Sequence, residues 1–156
     1  MDKTQKQQIG WREHVGLPDF GIPSLSAKVD TGARTSALHA VDQVVEERDG
    51  EDWVTFTVPH PDSNEDVRVS APILDQRDIT NTSGIPETRI VVATTLQLGS
   101  RRWPIEVSLA DRDAMSFDMI LGRTAIRGRR LLVAPGKSFL AGRPRRKPKT
   151  PKEKRS

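Results

Sequence analysis

Asp30, Thr31 and Gly32 close an apolar run within Ala27-Lys28-Val29-Asp30-Thr31-Gly32-Ala33-Arg34-Thr35-Ser36. That spacing presents a carboxylate at a strand end on a tight turn. Gly32 lets the backbone pass close to another chain, and the Thr31 hydroxyl can lock the turn by hydrogen bonding. A lone carboxylate in water is a poor catalyst of amide hydrolysis. Two carboxylates held about 3 Å apart cannot both ionise, so they share a proton and divide into a base that activates water and an acid. The chain has one such turn, so a single copy holds half a site, and a twofold axis beside Asp30 would supply the other half. A second apolar run, Phe117-Asp118-Met119-Ile120-Leu121-Gly122-Arg123, also ends in Gly. Its Asp118 precedes the apolar residues instead of ending a Thr-Gly turn, and reads as a cap or surface partner.

The two segments, in this order, resemble the two halves of a retropepsin, the small aspartic protease subunit that works as a homodimer. The resemblance covers residues 20–140 and implies an all-β, closed acid-protease barrel with one short C-terminal helix. By it, Asp30, Thr31 and Gly32 are the catalytic turn, with Thr31 tying the two turns together across the axis. Ala33, Arg34 and Thr35 fall in the substrate groove, and Leu121, Gly122 and Arg123 pack behind the turn. The flap that closes over a substrate falls within residues 79–87, which brings Ser83, Gly84 and Ile85 to the substrate. Retroviral members usually carry an acid two residues after the Gly, paired with the Arg of Gly-Arg. Arg34 stands there in this chain, so Arg123 needs another acceptor and the groove favours acidic substrates.

The longer phrase Lys28-Val29-Asp30-Thr31-Gly32-Ala33-Arg34-Thr35-Ser36-Ala37-Leu38-His39-Ala40 is similar to a bacterial subfamily labelled ATP-dependent zinc proteases. These are retropepsin-like and are often linked to ATP-grasp ligases that add glutamate to protein tails. The residues present offer neither zinc nor ATP a site. There is no Cys and no His-Glu-x-x-His, and His14, His39 and His60 lack ligand spacing. No Gly-rich phosphate loop occurs, so ATP would act only through a partner. The expectation is no metal and no cofactor.

The elements that must position Asp30 follow from composition and alternation. With no Tyr, three Trp and four Phe in 156 residues, the core rests on Val, Ile and Leu, which favour strands. Leu25 to Val29 alternates apolar and polar residues into Asp30. Asp49-Gly50 marks a two-residue hairpin turn before Trp53. Residues 89–98 form the longest strand candidate, and Gly99-Ser100 turns it into residues 103–109. The one helix starts at Arg123 and is cut short by Gly128.

Charge divides the chain. Residues 141–156 hold eight Lys or Arg against one acid, while the rest has 17 basic and 20 acidic residues. The high pI therefore belongs to the tail, not the body. The expected organisation is a disordered segment over 1–10, a retropepsin-like domain over 11–140 and a basic disordered tail over 141–156. The polar N-terminus has no signal-peptide core and no run reaches the ~18 apolar residues of a membrane span, so we expect a cytoplasmic protein with no membrane contact. The leading function is an aspartic endopeptidase acting as a homodimer on a peptide substrate of acidic character. The alternative is a catalytically silent module that binds an acidic peptide or an ATP-grasp ligase partner. In either case the tail offers a non-specific contact for RNA or ribosomes.

Overall fold

The computed structural model describes residues 6–80, 84–111 and 116–144. Among the described residues the chain forms eleven strands: β1 (Gln7–Leu17), β2 (Ile22–Asp30), β3 (Ser36–His39), β4 (Val41–Arg48), β5 (Glu51–Val58), β6 (Val67–Pro72), β7 (Asp75–Thr80), β8 (Pro86–Leu98), β9 (Arg101–Ala110), β10 (Met119–Gly122) and β11 (Leu131–Ser138). One four-residue helix, α1 (Arg123–Ile126), follows β10 directly. The all-β class with a single short helix is what the scarcity of aromatics and the Val, Ile and Leu runs implied. No helix among the described residues is long and apolar enough to cross a membrane.

Alternation sets the faces. In β2, Ile22, Leu25, Ala27 and Val29 are buried while Pro23 and Lys28 face out. In β5, Val54, Phe56 and Val58 point inward between residues that are partly or fully exposed. Eight strands form one sheet in the order β11-β1-β2-β10-β3-β9-β8-β7. It curls so that β1 also meets β8 at Gly16 and Gln97, which partly closes the ring of strands. The remaining strands form a second sheet, β4-β5-β6, whose first hairpin turns on Asp49 and Gly50, both at positive φ. The φ values of 51° and 82° suit the mirror-image turn that matches strand twist. The 3-10 turn Pro18–Phe20 between β1 and β2 packs on the second sheet through an edge-on contact of Phe20 with Phe56, ring centroids 5.7 Å apart.

The short strand β10 lies between β2, to which it is parallel, and β3, to which it is antiparallel. Met119 and Leu121 are fully buried there, so β10 fills the core while its backbone supports the two strands that flank the Asp30 turn. Asp118, just before it, is a structural tie. Its carboxylate accepts from the Ser26 N–H (2.8 Å), the Ser26 hydroxyl (3.1 Å) and the Asp62 N–H (2.9 Å).

The ordered strands extend past the boundaries expected from composition. β1 begins at Gln7 and pairs in parallel with β11, burying Ile9 completely. Polar residues there are held by a strand more than a hundred positions away, which local composition does not reveal. At the other end, the fully buried Glu13 carboxylate accepts from the Gly10, Leu140 and Ala141 N–H groups at 2.7, 2.9 and 3.1 Å. Arg143 pairs with Asp62, which also accepts from the Ser24 hydroxyl. Burial pushes the Asp62 carboxyl up, but the bonds from Arg143 and Ser24 outweigh it and hold the group below its usual range. That tie is complete at neutral pH and weakens as pH falls below the ordinary carboxylate range. Residues 1–5 and 145–156, including most of the basic tail, lie outside the described residues.

Candidate active site

Asp30 is the last residue of β2, in register with Gly122 of the parallel β10. Its side chain is partly exposed, and Thr31 and Gly32 are exposed. The carboxylate accepts the Gly32 N–H at 3.0 Å, and the Asp30 carbonyl accepts the Ala33 N–H at 3.1 Å. The turn is thus closed twice by its own backbone, an arrangement for which Asp followed by a flexible Gly is suited.

Residues after β10 hold the turn from behind. The Arg123 N–H donates to the Ala33 carbonyl at 2.8 Å and its guanidinium to the Gly32 carbonyl at 3.1 Å. Thr124 donates to the Arg34 carbonyl through its N–H at 3.3 Å and its hydroxyl at 2.7 Å. The Gly122 N–H donates to the Ser36 hydroxyl oxygen at 3.0 Å, and the Ser108 hydroxyl donates to the Ser36 carbonyl at 3.1 Å. The Trp103 indole N–H fixes α1 by donating to the Ala125 carbonyl at 2.8 Å. A backbone carrying so many partners is preorganised.

Gly122 is needed because of how closely these segments approach. A Cβ there would stand 2.8 Å from the Thr35 carbonyl carbon and 2.9 Å from the Ala33 carbonyl oxygen, both backbone atoms. We therefore expect Gly122→Ala to push residues 33–35 off β10 and to cost about 1–3 kcal/mol through overpacking. Thermal unfolding read by circular dichroism checks this, and an unchanged melting temperature would show that the turn is looser than its contacts indicate.

Residues 32–35 form one wall of a cleft of about 1130 Å³, whose other walls come from β7, β8 and β9 through Arg77, Ile79, Arg89 and Glu106. Asp30 is not itself among the lining residues. Thr31 instead borders a smaller depression of about 530 Å³ with Lys6 and Arg123. Ala33, Arg34 and Thr35 line the cleft. Arg34 is exposed, and its guanidinium has no side-chain partner among the described residues. Leu121, Gly122 and Arg123 lie behind the turn, and the acceptor that Arg123 needed is the Gly32 carbonyl.

The expected flap segment, residues 79–87, takes in the end of β7 and the start of β8, which pair antiparallel from Asp75 and Val91 to Thr80 and Pro86. Gly84 takes φ +78° before β8, and the Ile85 side chain is 60% exposed. Neither lines the cleft, and Ser83 lies outside the described residues. Arg77, Arg89, Ser36 and Thr124 escaped the sequence reading. Ser36 and Thr124 continue the two motifs, and their position beside Thr35 and Arg123 was the available signal.

The three histidines are apart. His14 stacks on Phe139 with centroids 4.5 Å apart. The Nδ1 of His39 lies 3.2 Å from the Ala110 carbonyl, and that of His60 lies 3.1 Å from the Asn64 carbonyl. Among the described residues no group of three His, Asp or Glu side chains is arranged to hold a metal ion. The donor set therefore does not fit a zinc centre.

Known proteins resemble this chain in both sequence and shape. It is 46% identical over 142 residues to a probable alpha-L-glutamate ligase of Parasynechococcus marenigrum (strain WH8102), a match covering 89% of this chain and 30% of that protein. It is 47% identical over 133 residues to a protein of the same name from Desulfotalea psychrophila, covering 83% of this chain and 28% of the other. The chain thus spans under a third of the length of these curated relatives. The crystal structure of Lpg0085, a protein of unknown function (DUF785) from Legionella pneumophila, matches with a TM-score of 0.73 at 30% identity. That match covers 86% of this chain and 97% of the other. The family model described as RimB-like, retropepsin-like aspartic endopeptidase RimB, matches residues 8–144. With the Asp-Thr-Gly turn, the strand that supports it and the short helix behind it all in place, the chain belongs to this RimB-like, retropepsin-like family.

Proposed function

We propose that the chain is one half of a homodimeric aspartic endopeptidase in which Asp30 of each copy faces the other across a twofold axis. The observation that carries this reading is the exposed Asp30 turn, locked from behind by residues 122–124. Side by side, the two carboxylates share one proton. The ionised member takes a proton from a water between them as that water attacks the scissile carbonyl, and the protonated member donates to the carbonyl oxygen. The apparent pKa values then belong to the pair, not to either copy.

The substrate class is an acidic peptide. Arg34 stands in the cleft with no side-chain partner for its guanidinium among the described residues. The relatives are named for glutamate ligation, and a peptidase associated with such an enzyme would meet glutamate-rich chains. The test is to incubate the full chain with a peptide ending in a run of glutamates, follow products by mass spectrometry and vary enzyme concentration. Specific activity should rise with concentration through the range where sedimentation detects dimer. A specific activity that is constant while the chain sediments as monomer would defeat the shared site.

The relatives' ligase names also favour a second reading, in which the domain holds an acidic chain for an ATP-grasp ligase partner without cleaving it, while the tail contacts RNA. Under that reading, binding survives replacement of Asp30 and no product is formed by either form.

A further inference from the structure

Arg77 and Arg89 face each other directly across the β7–β8 hairpin, and both line the cleft that contains residues 32–35. Like charges opposed in this way repel, and the opposition weakens a hairpin unless something offsets it. The Arg89 side chain is 9% exposed and the Arg77 side chain 37%, so the cost of keeping two cations there is not relieved by water alone.

Three carboxylates offset it. Arg77 donates from Nε to Asp75 at 2.8 Å and from Nη2 to Glu106 at 2.9 Å. Those bonds, the one to Asp75 first, hold Arg77 more firmly protonated than usual. Arg89 donates from both Nε and Nη2 to a single oxygen of Glu87. Each guanidinium therefore keeps its Nη1 amino group free of any partner among the described residues. The Glu87 and Glu106 side chains are 40% and 47% exposed, so water can take up either carboxylate when it leaves its arginine. A purely structural ladder would place one arginine opposite one acid. Here two planar forks stand side by side on a cleft wall, held by acids that can leave.

We infer that Arg77 and Arg89 form a subsite for a carboxylate side chain of the bound peptide, with Glu87 and Glu106 occupying its donors until the peptide arrives. This rests on the reading of the cleft as a peptide groove, but it does not require that the peptide be cut. A peptide carboxylate between the two forks takes up the free Nη1 donors and displaces Glu87 or Glu106 into water. Charge-assisted, paired bonds of this kind are the strong ones.

The test uses the full chain carrying Asp30→Asn, so that binding is measured without turnover. The probes are a fluorescent tetraglutamate peptide with an amidated C-terminus and its tetraglutamine counterpart with a free C-terminus, which separates side-chain from terminal carboxylates. The tetraglutamate probe should bind roughly tenfold or more tightly than the other. Arg77→Gln and Arg89→Gln should each remove most of that difference, weakening tetraglutamate binding more than tetraglutamine binding. Glu87→Gln and Glu106→Gln should instead raise affinity for the tetraglutamate probe, because they remove an internal competitor, and a merely structural ladder would not give that rise. If Arg89→Gln fails to fold, the more exposed Arg77 carries the test. Equal binding of the two probes, equal loss of both in the arginine variants, or weaker binding in both glutamate variants would overturn the subsite. Absence of cleavage by the unaltered chain, with the probe preference intact, would overturn the peptidase reading alone.

Discussion

Asp30→Asn is expected to lower peptide hydrolysis by a factor of about 10²–10⁴ or more, the range that a positioned acid or base contributes, while the melting temperature stays unchanged. Asn keeps the side-chain oxygen that accepts the Gly32 N–H at 3.0 Å, so the turn retains its shape. The bonds from Gly122, Arg123 and Thr124 end on the backbone or on Ser36 and do not involve the Asp30 carboxylate. What Asn cannot do is take a proton from water or share one with a facing carboxylate. Product formation by the variant at the unaltered rate would sink the aspartic mechanism. The paired measurement of cleavage and thermal unfolding separates lost chemistry from lost structure.

The largest effect on stability is expected at a residue far from the turn. Glu13→Ala should destabilise the fold on the order of 2–4 kcal/mol, because it strands the buried Gly10 N–H, at about 1–3 kcal/mol for an unpaired buried donor, and takes the acceptor from the part-buried Leu140 and Ala141 N–H groups. The Glu13 side chain is fully buried, and its two oxygens accept from Gly10, Leu140 and Ala141. It therefore fastens the end of the chain to β1. In a domain of this size the change corresponds to a fall in melting temperature of roughly 10 °C. Glu13→Gln keeps one acceptor oxygen and should fall between the two. If Glu13→Ala melts at the temperature of the unaltered chain, solvent has replaced the carboxylate and the residue is not the clasp its contacts indicate.

The parts of the fold legible in the sequence were those written in neighbouring residues. The Asp30 turn, the Asp49-Gly50 hairpin and the short helix after Gly122 each depend on residue types within one turn or one strand. Long-range pairing decided the rest. β7 carries no strand signal of its own, since Asp75, Gln76, Arg77 and Asp78 show no apolar alternation, and pairing with β8 makes it a strand. Residues 7–10 look frayed until β11 is found beside them. The exchange of an acid for Arg34 showed that Arg123 must find a new acceptor. Only the geometry of the turn revealed that acceptor as the Gly32 carbonyl. The Arg77 and Arg89 pair has no sequence signal at all, since the two are brought together by hairpin register alone.

Strand β10 also carries a consequence for the order in which the molecule becomes competent. The bonds that steady residues 32–36 from outside the turn come from partners 72 to 91 positions further along the chain. Closing loops of that length is entropically costly and slow compared with forming a local hairpin. During synthesis the Asp30 turn has only its own bonds to hold it until β9 has followed and residue 122 is free and threaded between β2 and β3. The carboxylate thus waits on a turn closed only by its own bonds while the residues that brace it are made. The molecule's own topology delays its site until β10 is in place.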